Sequence, residues 1–190
     1  MDTIRSLERQ LVSELAQPSL IQRDNLALEW LAGPAALAAP TVLLESITRL
    51  RNKGDYLVNA FAASAAGDSA SVRRILEQVH QSRLQAPPAE WAIDALYPEA
   101  VLLTWLGDDR GAIAWLDPTL TSLPNAAPGT FAIPSRPGAL VHAMALRAEL
   151  AAGIGDVAGA RRWANAVTIL WEDADGFLQP LVSRMRQLAN

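Results

Sequence analysis

The dipeptide Gly-Asp recurs at residues 67–68, 107–108 and 155–156. The stretches beginning there align without gaps as GDSASVRRIL, GDDRGAIAWL and GDVAGARRWA. Seven residues before each Gly stands an alanine: Ala60, Ala100 and Ala148. Five after it stands Val72, Ala112 or Ala160, and eight after it Ile75, Trp115 or Trp163. The flanking residues are good helix formers, so each copy reads as a helix, a tight turn and a second helix. Gly supplies the backbone freedom that ends the first helix, and Asp can cap the second. Small residues at fixed distances from the turn let two antiparallel helices approach closely.

The turns lie 40 and 48 residues apart. Periods near these belong to stacked helical units, each burying its apolar face on the next. Val, Ile and Thr form no alternating run of strand length, so the expected fold class is all-α. At 190 residues the chain is long enough for one self-sufficient core. Upstream, Ile4, Leu7, Leu11 and Leu15 make one helical stripe over 2–16, with Asp2 as a candidate cap. Further helices are expected over 19–32 and 41–52, the latter with Leu44, Ile47 and Leu50 inward. Lys53-Gly54 then ends this helix, and Asp55 can cap the next. Leu178, Leu181, Val182, Met185 and Leu188 form the stripe of a last helix over about 176–189, with Asp175 as its expected cap. Residues 124–138 hold Pro124, Pro128, Pro134 and Pro137 and read as a long loop.

Paired helices joined by a Gly-Asp turn, with alanine before and after it, resemble tetratricopeptide repeats. The segment ARRWANAVTILWEDADGFLQPLV further resembles the C-terminal repeat region of large bacterial signalling and regulatory proteins. The resemblance implies a single helical-repeat domain over 1–190: N-terminal helices over 1–52, repeats at 53–86, 93–126 and 141–174, and a capping helix over 175–190. It implies an α-α superhelix whose first helices line a concave, partner-binding face. Carried over by position, that face holds Phe61, Tyr97, Val101, Trp105, His142 and Glu149, with Leu57, Thr104 and Ala145 among them. Aromatic members would anchor a peptide or helix, unless the N-terminal helices fill the groove themselves. Members that clamp a carboxylate use several Lys, Arg and Asn; Asn59 and Arg147 are all this face offers, which disfavours that subclass.

Other chemistries find little support. Net charge is −4 and Lys53 is the one lysine, so nucleic acid is not an expected partner. The absence of cysteine removes disulfides, zinc thiolates and a thiol nucleophile. The start lacks the pattern of a signal peptide, and no uncharged run is long enough to span a bilayer, so a cytoplasmic protein is expected. Gly153-Ile-Gly155-Asp-Val-Ala158 matches a dinucleotide-binding string, but helix-forming residues precede it where a strand is required. Asp173-Ala-Asp175 and Asp108-Asp109 read as caps rather than metal ligands. His80 and His142 have no companion base or nucleophile at catalytic spacing. Arg73-Arg74 and Arg161-Arg162 recur at equivalent repeat positions, as solvated charge or as a shared reader of anionic groups. No catalytic residue, cofactor or metal is expected. The expected function is a protein-interaction scaffold, as a regulatory module or part of a larger regulator. The rival is an all-helical sensing or enzymatic domain with a pocket beside 124–138.

Overall fold

The computed structural model describes residues 56–190 except 133, 134, 175 and 177. The expected helices over 2–16, 19–32 and 41–52 and the cap Asp175 lie outside the described residues. Within them every regular element is helical: α1 (Tyr56–Ala65), α2 (Ser69–Arg83), α3 (Ile93–Trp105), α4 (Asp109–Ser122), α5 (Ser135–Gly153), α6 (Val157–Leu170) and α7 (Gln179–Ala189). Short 3-10 segments occupy Pro88–Glu90, Leu123–Asn125 and Pro128–Ala132. The expected all-α class holds. None of these helices is long and apolar enough to cross a membrane.

The three turns are built alike. Gly67, Gly107 and Gly155 have φ of 74°, 72° and 80°, and no other described residue has positive φ. At each, the Gly N–H donates to the carbonyl three residues back, and the Asp N–H to the carbonyl five back. This is the double closure of a Schellman motif. The same Asp then turns its carboxylate on the next helix, accepting from the N–H of Ser71, Gly111 or Gly159. One dipeptide thereby satisfies orphan carbonyls of one helix and an orphan N–H of the next. The backbone donors hold the Asp68 and Asp108 carboxyls below their ordinary pKa range, helped at Asp108 by Arg73.

Within each hairpin the small positions are buried: Ala60, Ala100, Ala148, Val72 and Ala112 are fully so, and Ala160 nearly so. The hairpins pack in chain order. First helix meets first helix, α1 on α3 and α3 on α5; α4 also reaches α5, and α7 closes the end against α6 and α5. A single apolar cluster runs through all three. Val182 and Met185 bury α7's inner face completely.

The Pro-rich stretch departs from expectation. Rather than a loop over 124–138, it holds two 3-10 turns, and α5 begins at Ser135. Pro137 fits there because first-turn N–H groups have no intrahelical acceptor to lose. Pro118 lies within α4, which runs on to Ser122. The Gly153–Ala158 string is a helix end, a turn and a helix start, so no strand precedes it.

The turn can be tested at two nearby glycines. A Cβ at Gly155 or at Gly153 would meet nothing within 4 Å, so backbone conformation alone separates them. Gly155→Val should lower stability by roughly 1 kcal/mol or more, because its φ is left-handed. Gly153→Ala, at a helical position, should be neutral or stabilising by up to about 1 kcal/mol. Urea unfolding of both variants checks this; equal effects would contradict the turn's role.

Candidate functional site

The six residues expected to bind a partner lie on first helices: Phe61 on α1, Tyr97, Val101 and Trp105 on α3, His142 and Glu149 on α5. Several of them touch. Phe61 and Trp105 meet edge to face at 5.6 Å, and Tyr97 stacks on His142 at 5.6 Å. They do not, however, form an exposed row. Phe61, Tyr97 and Val101 are 0%, 1% and 2% exposed; in this structure they are core, and a partner could reach them only by displacing what covers them. Trp105, His142 and Glu149 remain partly exposed. Burial raises the Tyr97 hydroxyl above its ordinary range, with Glu149 adding to it. Burial also raises the Glu149 carboxyl, against the pull of Arg184, whose Nε lies 2.7 Å away.

The polar chemistry lies elsewhere, in the joints between hairpins. Between the first and second, the Glu99 carboxylate is fully buried. Its Oε1 accepts from Tyr56 Oη at 2.6 Å and Arg83 Nη2 at 2.7 Å; its Oε2 accepts from Arg83 Nη1 at 2.8 Å and Trp115 Nε1 at 2.7 Å. Four donors from α1, α2 and α4 thus converge on one acid of α3. Burial works against the Arg83 charge, but the hydrogen bonds and charge of Glu99 overcome it and hold its pKa above the ordinary value. Beside this node, His80 lies against Trp115 at 4.7 Å and edge-on to Trp91 at 6.1 Å, and the Arg83 guanidinium sits over Trp91. Trp115 is therefore a half-buried hydrogen-bond donor. Trp163 is buried, with Arg162 over its ring at 4.7 Å.

Between the second and third hairpins, Arg147 is 7% exposed and grips Asp117 of α4, Nε to Oδ1 at 2.6 Å and Nη2 to Oδ2 at 3.2 Å. Asp156, the cap of α6, lies 3.9 Å from the same guanidinium. His142 is held between the Tyr97 face and the Trp171 edge, 5.0 Å away. Counted from the turn glycines, Glu99 and Arg147 occupy the same position, eight residues before Gly107 and Gly155. The first hairpin has Asn59 there, and it is exposed. One position relative to the turn thus carries an acid in one hairpin and a base in the next, each reaching back to the second helix of the hairpin before it.

Sequence reading missed both. A signal existed: Glu99 is the one charged residue in ALYPEAVLLTWL over 95–106, and a lone acid in an apolar helix must find donors if buried. Its donors, 16 and 43 residues away, could not be read from spacing.

The remaining candidates find partners within the chain. Arg73 pairs with Asp108 at 3.1 Å, Arg74 bonds Ser71, Arg161 bonds the Asn190 carbonyl, and Arg162 covers Trp163. They do not gather as one free anionic-group reader. No group of acids and histidines among the described residues could hold a metal ion. The site of the expected pocket is a cleft lined by Trp91, Ile93, Thr119, Leu123 and Phe131. It encloses about 10 Å³, room for one water molecule. The chain matches no known family model, no characterised protein and no solved structure.

Two measurements test these joints. Glu99→Leu should cost about 3 kcal/mol or more in urea unfolding, because it strands a buried guanidinium; adding Arg83→Met should recover part of the loss. Burial lowers the His142 pKa from 6.5 to about 4. The unfolded chain then binds the extra proton between those values, so this histidine's contribution to stability falls as pH drops through that window and is steady below it. Glu149, with its raised pKa, acts with the opposite sign. The comparison is therefore wild type against His142→Gln. Their difference in unfolding free energy should shift against wild type by roughly 3 kcal/mol from pH 7 to pH 4. A difference that does not move with pH would contradict the burial of a neutral ring.

Proposed function

We propose that the chain is a protein-interaction scaffold built from tetratricopeptide-like repeats, acting as a regulatory module or as part of a larger regulator. The observation that carries this reading is the threefold hairpin with an identical Gly-Asp turn, packed so that the first helices are contiguous. Arrays of this kind offer extended surface rather than an enclosed reaction centre. The buried polar groups agree with it: the Glu99 carboxylate has all its donors in place, and the Arg147 guanidinium is engaged by carboxylates. Neither lines the cleft beside Phe131.

Along the first helices Trp105 is the aromatic residue best placed to meet a partner, since Phe61 and Tyr97 are covered. Large aromatic side chains at partly open positions are the usual anchors of an interface. Affinity capture from the native lysate, run in parallel with wild type and Trp105→Ala, tests the assignment. Loss of a partner with the variant, at an unchanged melting transition, is the expected result. Equal recovery would remove Trp105 and the first-helix face from the reading.

A further inference from the structure

We propose that the outer face of α6 is the contact through which two copies of this chain form a two-fold dimer. The face differs from its counterparts when the three second helices are aligned on their turns. Fourteen and fifteen residues after the turn glycine, the first hairpin carries Gln81 and Ser82, and the second Thr121 and Ser122. The third carries Ile169 and Leu170, which are 74% and 54% exposed. Just beyond, where the others have Leu84-Gln85 and Pro124-Asn125, stand Glu172 and Asp173. Both acids are exposed, as are Arg161, Arg162 and Asn165 one to two turns before Ile169.

At helical spacing Arg162, Asn165 and Ile169 line the side of α6 opposite Ala160, Ala164 and Val167. Ala166 lies beside them, one turn from Arg162, Ile169 and Leu170. From start to end the face therefore runs base, then small and apolar, then acid. That order is its own complement when a second copy runs antiparallel. A two-fold axis passing beside Val167 sets Arg162 against the partner's Glu172 and Asn165 against the partner's Ile169. The small Ala166 at the crossing lets the backbones approach, and the two apolar pairs cover one another, as an isologous contact requires. A crossing at the middle of α6 seats Val157 on the partner's Leu170, but it brings the two Arg162 guanidiniums together and leaves the acids at the rim. Among the described residues no ion pair engages Arg161, Arg162, Glu172 or Asp173. Arg162 rests over the Trp163 ring, which holds its charge at the helix surface without neutralising it. Exposed ion pairs add little to affinity and more to orientation, so burial of Ile169 and Leu170 drives the contact and the charges set its direction. A foreign helix covers an apolar pair equally well; the reversed order of charge is what a copy of α6 supplies by symmetry alone.

The purified full chain tests this with no other protein present, so the outcome is independent of the scaffold reading. Sedimentation equilibrium should show monomer and dimer in exchange. Ile169→Asp should raise the dissociation constant about tenfold or more, with helical content unchanged. Wild type that stays monomeric to millimolar concentration would overturn the proposal. So would a dimer that Ile169→Asp leaves intact, since it then uses another face. The order of charge is read from two single reversals. Arg162→Glu and Glu172→Arg should each weaken the homodimer, because like charges then meet at both ends. Mixed in equal amounts, the two variants should associate as wild type does, each reversed charge meeting its opposite on the partner. A mixture that associates no better than either variant alone would overturn the antiparallel pairing. All three positions are exposed, where substitutions cost little stability.

Discussion

The buried polar contact between the first two hairpins centres on a single carboxylate. Glu99 is out of water, and a charge in that position is tolerable only when its lone pairs are filled. Tyr56, Arg83 and Trp115 fill them from three other helices. The requirement is geometric as well as energetic. The four donor directions fix how α1, α2 and α4 lie about α3, within the tolerance of a hydrogen bond. Apolar packing alone would allow neighbouring hairpins to slide over one another at small cost. A carboxylate that would lose a donor does not.

This divides the labour within the molecule. Inside each hairpin the positions at fixed distance from the turn are small, apolar and buried, and the helices close about that local turn. Between hairpins the contacts are ionic and aromatic: Glu99 with Arg83, Arg147 with Asp117, His80 against Trp115, His142 against Tyr97. The first kind of contact favours proximity and is tolerant of detail. The second kind selects one arrangement, because an unpaired member is costly.

What was legible in the sequence follows the same division. The turns could be read because their demands are local: a left-handed φ calls for Gly67, Gly107 and Gly155, and an orphan N–H calls for the Asp beside each. The buried alanines could be read because they sit at fixed distances from those turns. The start of α5 at Ser135 was misread, since a cluster of prolines signals a loop unless the first-turn exemption is applied to Pro137. Phe61, Tyr97 and Val101 were assigned to the right helices but not to the right environment; helix periodicity gives the side of a helix, whereas burial depends on what else comes to lie there. The partners of Glu99 and Arg147 were illegible for a similar reason, as Arg83 and Asp117 lie on another hairpin.

Aligned on the turns, the three hairpins share one build, and elements of like build are open to exchange, duplication and loss. The position eight residues before the turn glycine works against this. It holds Asn59, then Glu99, then Arg147, and the second helix behind the latter two offers Arg83 and Asp117 respectively. Repeating the second hairpin would bring a new copy of Glu99 up to Leu123, which stands where Arg83 stands in the first hairpin, sixteen residues after the turn glycine. Placing the third directly after the first would set Arg147 against Glu77, which stands ten residues after its turn glycine as Asp117 does, so an acid would still face it. Three like turns therefore carry hairpins that cannot be duplicated freely, and the restriction lies in one buried acid, Glu99, and its basic partner Arg83.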